Sequence, residues 1–356
     1  MIVKPSVKPR YARVFIEVTS QCNFDCCFCT NSLMQRTPGH MPSAAFMRII
    51  DEISKNEVTN TILFHIMGDP LLHPDLMTFL RYSVEHMKRQ RLVTNGSLFT
   101  EETIKDCYGT QLTNLDISYF TPNSTLFKTR NSKYITFQQY QQTIENIVTT
   151  KFDHNFDTHL RLFYPNINLK SFNWKGRSFE PLNKQAINQI VQKWSDFLTA
   201  MGIQTNHFKQ NEIKKWNMNK RNTVFITDSF EIVFKRFHNW HNSQQQVIQS
   251  PIGKCSIVLN REQLGILWNG DVVLCCGDYE GHTRFGNINE KSLTEILNSK
   301  QYHCIINSFS KGIIPFTTCK KCLGSSSITS LGWNAIGKYY ARSLITKKSN
   351  SHCKAL

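Results

Sequence analysis

The chain has 356 residues and a mass of 41.3 kDa; 40% of them are hydrophobic and 12% aromatic, which is enough for a large core in one or two domains and excludes a disordered chain. No 18-residue apolar stretch and no signal-peptide core is found, so a membrane-spanning helix is excluded and a cytoplasmic setting is expected. The net charge of +16 favours anionic partners, and 12 cysteines in a reducing compartment argue for metal ligation or redox chemistry over a disulfide framework.

In chain order, RVFIEV (13 to 18), TILFHI (61 to 66), RLVT (91 to 94), TNLDIS (113 to 118), THLRLF (158 to 163) and IQTNHF (203 to 208) read as strands. Helical periodicity fills the gaps: Phe46, Ile49, Ile50 and Ile53 share one face, then Phe137, Tyr140, Ile144, Ile147 and Val148, then Ile187, Ile190, Val191, Trp194 and Leu198. Six strand-then-helix units predict an α/β fold with a parallel sheet, doubly wound or a partial barrel. In both, chemistry gathers at the carboxyl ends of the strands. The polar residues follow that rule: Cys22 to Cys29 come after the first strand, Gly68-Asp69-Pro70 after the second, Asn95-Gly96 after the third, and Ser118 closes the fourth.

From 209 to 250 the pattern gives way to a stretch rich in Lys, Asn and Gln, which reads as connector or insertion. Beyond Cys255, the short runs IVLN, LGILW and DVVLCC, with Asn269-Gly270-Asp271 as the turn, predict a β-hairpin unit. Ser292-Leu293-Thr294-Glu295 is a capping box that opens a short helix. The tail from 324 to 356 is basic and contains the helix-like run SLGWNAIGKYYARSL. The expected domains are thus a core over 1–208, a connector over 209–250, a small cysteine domain over 251–323 and a tail over 324–356.

Cys22, Cys26 and Cys29 have the spacing C-x-x-x-C-x-x-C. Three thiolates on one loop can hold three corners of an iron–sulfur cubane, whereas structural zinc wants four ligands and would leave this loop one short unless Cys27 joined it. An open metal position serves catalysis. The second set is Cys255, Cys275, Cys276, Cys319 and Cys322, the last two as C-x-x-C. By residue chemistry alone, Cys255, Cys275, Cys319 and Cys322 suit either a zinc ribbon or a cluster.

The first set resembles the radical S-adenosylmethionine (radical SAM) superfamily, and further segments extend the likeness. Phe28 precedes the third cysteine, IMGDPLLHPDL resembles the family's Gly-Gly-Glu-Pro segment, and LVTNGSLFTEE, Ser118 and FKTRN around Arg130 match later landmarks. Met67 and Asp69 stand where Gly and Glu are commoner. The second set, with FGNINEKSLTEIL, resembles the SPASM/Twitch extension of these enzymes, and the absence of two further cysteines after Cys322 favours the Twitch form with one auxiliary cluster. The resemblance implies a partial (β/α)6 TIM barrel followed by a small domain of hairpin and helix. It implies a 4Fe-4S cluster on Cys22, Cys26 and Cys29 with S-adenosyl-L-methionine on the open iron, and an auxiliary 4Fe-4S cluster on Cys255, Cys275, Cys319 and Cys322. Phe28, Gly68, Asp69, Pro70, Asn95, Ser118 and Arg130 are then the cofactor-binding candidates.

The implied reaction is reductive cleavage of S-adenosylmethionine to a 5′-deoxyadenosyl radical that takes a hydrogen atom from a substrate. With an auxiliary cluster as electron acceptor, the favoured outcome is oxidation or bond formation on a peptide or a specialised metabolite, served by a flavodoxin- or ferredoxin-type electron donor. Three alternatives stand beside it. A redox-neutral epimerase would use Cys276 as hydrogen donor, an RNA-modifying radical enzyme would use the basic surface, and a zinc-stabilised nucleic-acid binder would have no catalysis at all.

Overall fold

The computed structural model describes residues 11–165, 173–174, 177–178, 182–207, 213, 216, 221–235 and 247–325. The chain divides into two compact units. One comprises Met1–Val18, Met34–Ile62 and His238–Leu356, the other Thr19–Leu33 and Leu63–Phe237.

The second of these units contains most of the strand-then-helix repeat. Strands β3 (Arg89–Thr94), β4 (Asn114–Ile117) and β5 (His159–Pro165) pair in parallel, in register from Arg91↔Asn114 and Asn114↔His159. Helices α2 (Leu76–His86), α3 (Glu101–Gly109), α4 (Ser124–Phe127), α5 (Phe137–Asp153) and α6 (Lys184–Ala200) alternate with them. The apolar face read from the sequence of α5 is the buried one, with Tyr140, Ile144, Ile147 and Val148 inside. Thr100 and Thr136 open α3 and α5 with reciprocal capping boxes, which satisfy amides that would otherwise lack partners at those ends. Trp194 of α6 is buried and donates its indole N–H to Tyr164 Oη at 2.8 Å.

The sixth parallel strand is displaced from its expected place. No strand occurs over 203–207, and residue 208 lies outside the described residues. The position beside β5 belongs instead to β9 (Phe230–Lys235), parallel to β5 from Leu160↔Phe230 to Pro165↔Lys235, with β8 (Asn222–Thr227) antiparallel on its other side. Both strands lie in the stretch that reads as connector. The core explains the exchange: Phe230, Ile232, Val233 and Phe234 are fully buried, whereas IQTNHF alternates too many polar residues to fill that space. A separate ladder joins β6 (Asn173–Trp174) and β7 (Arg177–Ser178). β2 (Thr61–Phe64) runs across the division between the units.

In the other unit, β1 (Val14–Ile16) pairs in parallel with β10 (Leu264–Ile266), which forms a hairpin with β11 (Asp271–Val273); β12 (Gly286–Asn287) extends it. The hairpin turns at Gly270, whose φ of +89° suits glycine, as the Asn-Gly pair predicts. The run IVLN departs from the expected strand: Ser256–Leu259 is a short helix begun by Cys255. Helix α1 (Ser43–Lys55) buries Phe46, Ile49, Ile50 and Ile53, and Glu52 of that helix accepts the backbone N–H of Leu293, where the helix Leu293–Leu297 starts from its capping box. Residues 326–356, including the helix expected in the tail, lie outside the described residues. The architecture is a mixed α/β sheet with helices, a partial barrel core with a hairpin-and-helix cysteine domain. Among the described residues no helix is long and apolar enough to cross a membrane.

Candidate functional site

The loop that follows β1 carries Cys22, Cys26 and Cys29, and its shape is set by hydrogen bonds to several other segments of the same unit. The backbone N–H of Cys27 donates to Thr129 O at 2.8 Å, that of Cys29 closes a turn on Cys26 O at 3.0 Å, and Asn131 Nδ2 reaches Asp25 O at 2.9 Å. Asn23 accepts from Asn95 Nδ2 at 2.9 Å and donates to Ser97 Oγ at 2.8 Å. Asn95, which follows β3, thus spends its side chain on holding the cysteine loop.

The Gly68-Asp69-Pro70 segment lies against the start of this loop. The N–H of Asp69 donates to Gln21 O at 2.7 Å. Gly68 has φ +73°, and a Cβ there would stand 2.6 Å from backbone atoms of Thr19, Ser20 and Gln21, so only glycine fits. The Asp69 carboxylate is buried and accepts from Leu71 N, Thr94 Oγ1 and Asn95 N at 2.7 to 3.1 Å. Burial raises its pKa while these donors work against the rise. The carboxylate ties together the segments after β2 and β3, and what the segment leaves for a ligand is backbone. Met67 packs its Sδ 3.8 Å from Cys29 Sγ, so the residue that replaces the commoner glycine fills space beside the third thiol.

Arg130 and Ser118, paired as candidates from sequence, are brought together. The guanidinium is 2% exposed; Nε donates to Thr121 Oγ1 at 2.7 Å and Nη2 to Ser118 O. It lies 5.2 Å from the ring centre of Phe24, 5.3 Å from Tyr140 and 6.0 Å from Phe28, an aromatic surround that accommodates a buried cation. It also hydrogen-bonds the Cys26 side chain. Phe28 meets Phe120 edge to face at 6.3 Å.

Burial pushes the Cys22, Cys26 and Cys29 thiols up to about 12. Opposing it, the backbone of Phe24 bonds the sulfur of Cys22, that of Thr30 and Asn31 the sulfur of Cys29, and Arg130 that of Cys26. Such donors stabilise thiolate, and iron replaces the protons that burial retains. Three sulfurs on one loop, with donors aimed at them and a guanidinium beside them, fit a cluster that carries net negative charge. Asn23, Phe24, Thr121, Thr129 and Tyr140 complete this site and carry no signal in the sequence, because their residue types and spacing match no ligand pattern.

The second cysteine set lies in the other unit. Cys255 begins its short helix, and the backbone of Ile257 and Val258 bonds its sulfur; that of Gly277 bonds the sulfur of Cys275. Cys319 and Cys322 share the helix Thr317–Cys322. Burial raises all four thiols, Cys322 to about 11, and each is raised further by others of the set or by an acid close by: Cys319 by Cys275, Cys255, Asp278 and Cys322, Cys322 by Cys255, Cys275 by Cys276, Asp278 and Cys255, and Cys255 by Glu262. Among the described residues no three Cys, His, Asp or Glu side chains close around a single-ion position. Four cysteine thiolates are a donor set that an iron–sulfur cluster takes. Cys276 turns to Gln263, donating to Oε1 at 3.1 Å.

Comparison with known proteins places both sets in named families. The radical SAM superfamily model matches residues 16–173, and the SPASM iron–sulfur cluster-binding domain model matches residues 255–323. The S-adenosyl-L-methionine-dependent 2-deoxy-scyllo-inosamine dehydrogenase of Niallia circulans is 33% identical over 113 residues, 31% of this chain and 43% of the dehydrogenase. This chain therefore matches less than half the length of that relative. The tungsten-containing aldehyde ferredoxin oxidoreductase cofactor-modifying protein of Pyrococcus furiosus is 23% identical over 323 residues, 81% of each chain. A crystal structure of BtrN in complex with AdoMet and 2-DOIA aligns over 85% of this chain and 88% of its own, with 15% identity and a TM-score of 0.48. With both family models matched and the cysteines of each gathered in one unit, the chain combines a radical SAM domain with a SPASM iron–sulfur cluster-binding domain, and its cofactors are S-adenosyl-L-methionine and iron–sulfur clusters.

Proposed function

We propose that this enzyme oxidises, or forms a bond on, a small specialised metabolite or a peptide, and that its auxiliary cluster accepts the electron the substrate gives up. When bound, the cluster and S-adenosylmethionine supply a 5′-deoxyadenosyl radical that can remove hydrogen from an unactivated carbon. Cys22, Cys26 and Cys29 would hold the first cluster. The backbone at Gly68 to Pro70, kept in place by the Asp69 carboxylate, would orient the methionine amino group, and Arg130 with Ser118 would take its carboxylate. A guanidinium suits that task because its forked donors match two oxygens. Phe28 and Phe120 would exclude water from the loop's flank.

The observation that carries this reading is the three-thiol loop locked against a glycine-dependent turn, with a buried arginine beside it. The auxiliary role rests on the four thiols of Cys255, Cys275, Cys319 and Cys322, and the dehydrogenase relative supports net oxidation. Cys276, engaged by Gln263, favours a packed thiol over a hydrogen donor. Anaerobic reconstitution with iron and sulfide, followed by dithionite and S-adenosylmethionine, tests the reading. It predicts 5′-deoxyadenosine in wild type and none above background in Cys26→Ala. Equal production by both would overturn it.

A further inference from the structure

Between Asp116 and Glu145 the sequence contains Lys128, Arg130 and Lys133 and no acidic residue. Residues 128–134 of this stretch are joined to the three-thiol loop by two hydrogen bonds, Cys27 N–H to Thr129 O at 2.8 Å and Asn131 Nδ2 to Asp25 O at 2.9 Å. Arg130 is buried against Phe24, Phe28 and Tyr140, whereas Lys128, Lys133 and Tyr134 are exposed. Tyr134 is 78% exposed, more than any other large apolar side chain among the described residues. The turn that carries it is fixed: Asn131 takes φ +48°, and Ser132 Oγ accepts the N–H groups of Tyr134 and Ile135 at 3.4 and 3.2 Å. The cysteine loop itself adds one exposed acid, Asp25. A basic patch with an exposed aromatic ring thus sits one hydrogen bond away from the loop that carries the first cysteine set.

We infer that Lys128, Lys133 and Tyr134 form the docking surface for an acidic protein that delivers single electrons to the first cluster. The inference rests on the radical-enzyme reading above, in which each cleavage of S-adenosylmethionine consumes one electron from outside the chain. The donor is oxidised by one electron and the cluster reduced by one; no bond or proton passes between the two proteins. Electron transfer weakens steeply with distance, so the donor must seat where few atoms separate the surface from the cysteine loop, as they do at Thr129 and Asn131. The two lysines and the net charge of +16 select an acidic carrier and speed its approach. Tyr134 supplies the apolar contact, a residue type favoured at the centre of interfaces. A fixed turn loses little freedom on docking, and a patch of this size suits the small, brief contacts of electron-transfer partners.

The test mixes anaerobically reconstituted holoenzyme and S-adenosylmethionine with a fully reduced flavodoxin, and follows flavin oxidation by stopped flow at rising salt. The expected result is a second-order rate that falls with salt in wild type and is at least ~tenfold lower in Lys128→Glu/Lys133→Glu at low salt. Tyr134→Ala is expected to be slower than wild type at every salt concentration. With dithionite, a small reductant that needs no docking surface, all three proteins should release 5′-deoxyadenosine at the same rate, which also shows that the variants are folded and loaded. Equal flavin oxidation in wild type and the lysine variant, or none in wild type, would overturn the docking surface. So would salt-dependent RNA binding that the lysine variant loses while its flavin oxidation is unchanged. Flavin oxidation that depends on the lysines but yields no 5′-deoxyadenosine would defeat the proposed function only. Dithionite-driven cleavage with flavin oxidation indifferent to the lysines would defeat the docking surface only.

Discussion

Gly68 is the residue where sequence, backbone and chemistry constrain one another most tightly. Its left-handed φ and the 2.6 Å approach to the backbone of Thr19 to Gln21 mean that Gly68→Ala must push the turn away from the cysteine loop. The expected outcome is S-adenosylmethionine cleavage reduced at least ~tenfold with iron content maintained, measured on reconstituted protein, because the three thiols are untouched. Arg130→Lys tests the neighbouring contact: a single ammonium cannot serve Thr121, Ser118 and a ligand carboxylate together. Its apparent KM for S-adenosylmethionine is expected to rise ~tenfold, and an unchanged KM would remove Arg130 from the binding role. Cys276→Ala is expected to retain cluster content and turnover, since its sulfur is already engaged by Gln263. These residues differ in how legible they were. The cysteines and Gly68 announce themselves through local spacing, because one loop must supply several ligands at once. Tyr140, which donates to Asn95 O at 2.7 Å, and Thr121, which holds Arg130, are ordinary residues in ordinary contexts until the fold brings them in.

At the scale of the elements, the parallel strands are joined on one face by charge rather than apolar packing. Asp116 is fully buried and receives Arg91 at 2.5 Å and Arg161 at 3.5 Å; Arg161 also reaches Glu231, and Arg221 lies 3.8 Å from the same carboxylate. Removing one member strands the others, so Asp116→Asn is expected to cost about 3–5 kcal/mol in denaturant unfolding. Glu231 adds a pH dependence. Burial resists its ionisation, but the His159 ring, 3.8 Å away, and the charge of Arg161 prevail and hold the carboxyl below its ordinary 4.5. A depressed carboxyl stabilises the fold above 4.5, and that contribution is lost as pH falls from 4.5 through the lower folded value. Glu231→Gln should therefore lower the melting temperature at pH 7 and flatten its decline below pH 4.5; an unchanged acid limb would show that this carboxylate carries none of the dependence. β9 is a strand that its local sequence context hides. FEIVFK has the apolar run of a buried strand, but it lies within the Lys- and Asn-rich stretch that reads as connector.

For the whole molecule, the two cysteine sets fall in separate units, each with its own hydrogen bonds to sulfur. The broad architecture was readable because six strand-then-helix periods, a hairpin turn and a capping box are local signals. Which strands pair is decided by long-range packing, and so the sixth position was not. Substituting Cys319 and Cys322 together by alanine should remove about half of the bound iron and leave the first cluster's absorbance in place. Loss of all iron would mean that the two sets do not assemble independently.

The central claim is that three thiolates leave one iron of the first cluster to S-adenosylmethionine. Electron–nuclear double resonance on the reduced cluster of the Cys319→Ala/Cys322→Ala protein, with the cofactor's amino group labelled with nitrogen-15, measures this directly. The expected result is a resolved nitrogen coupling that disappears when S-adenosylmethionine is omitted. A fully formed cluster with no such coupling would mean that a protein group occupies the fourth iron, and would contradict the account.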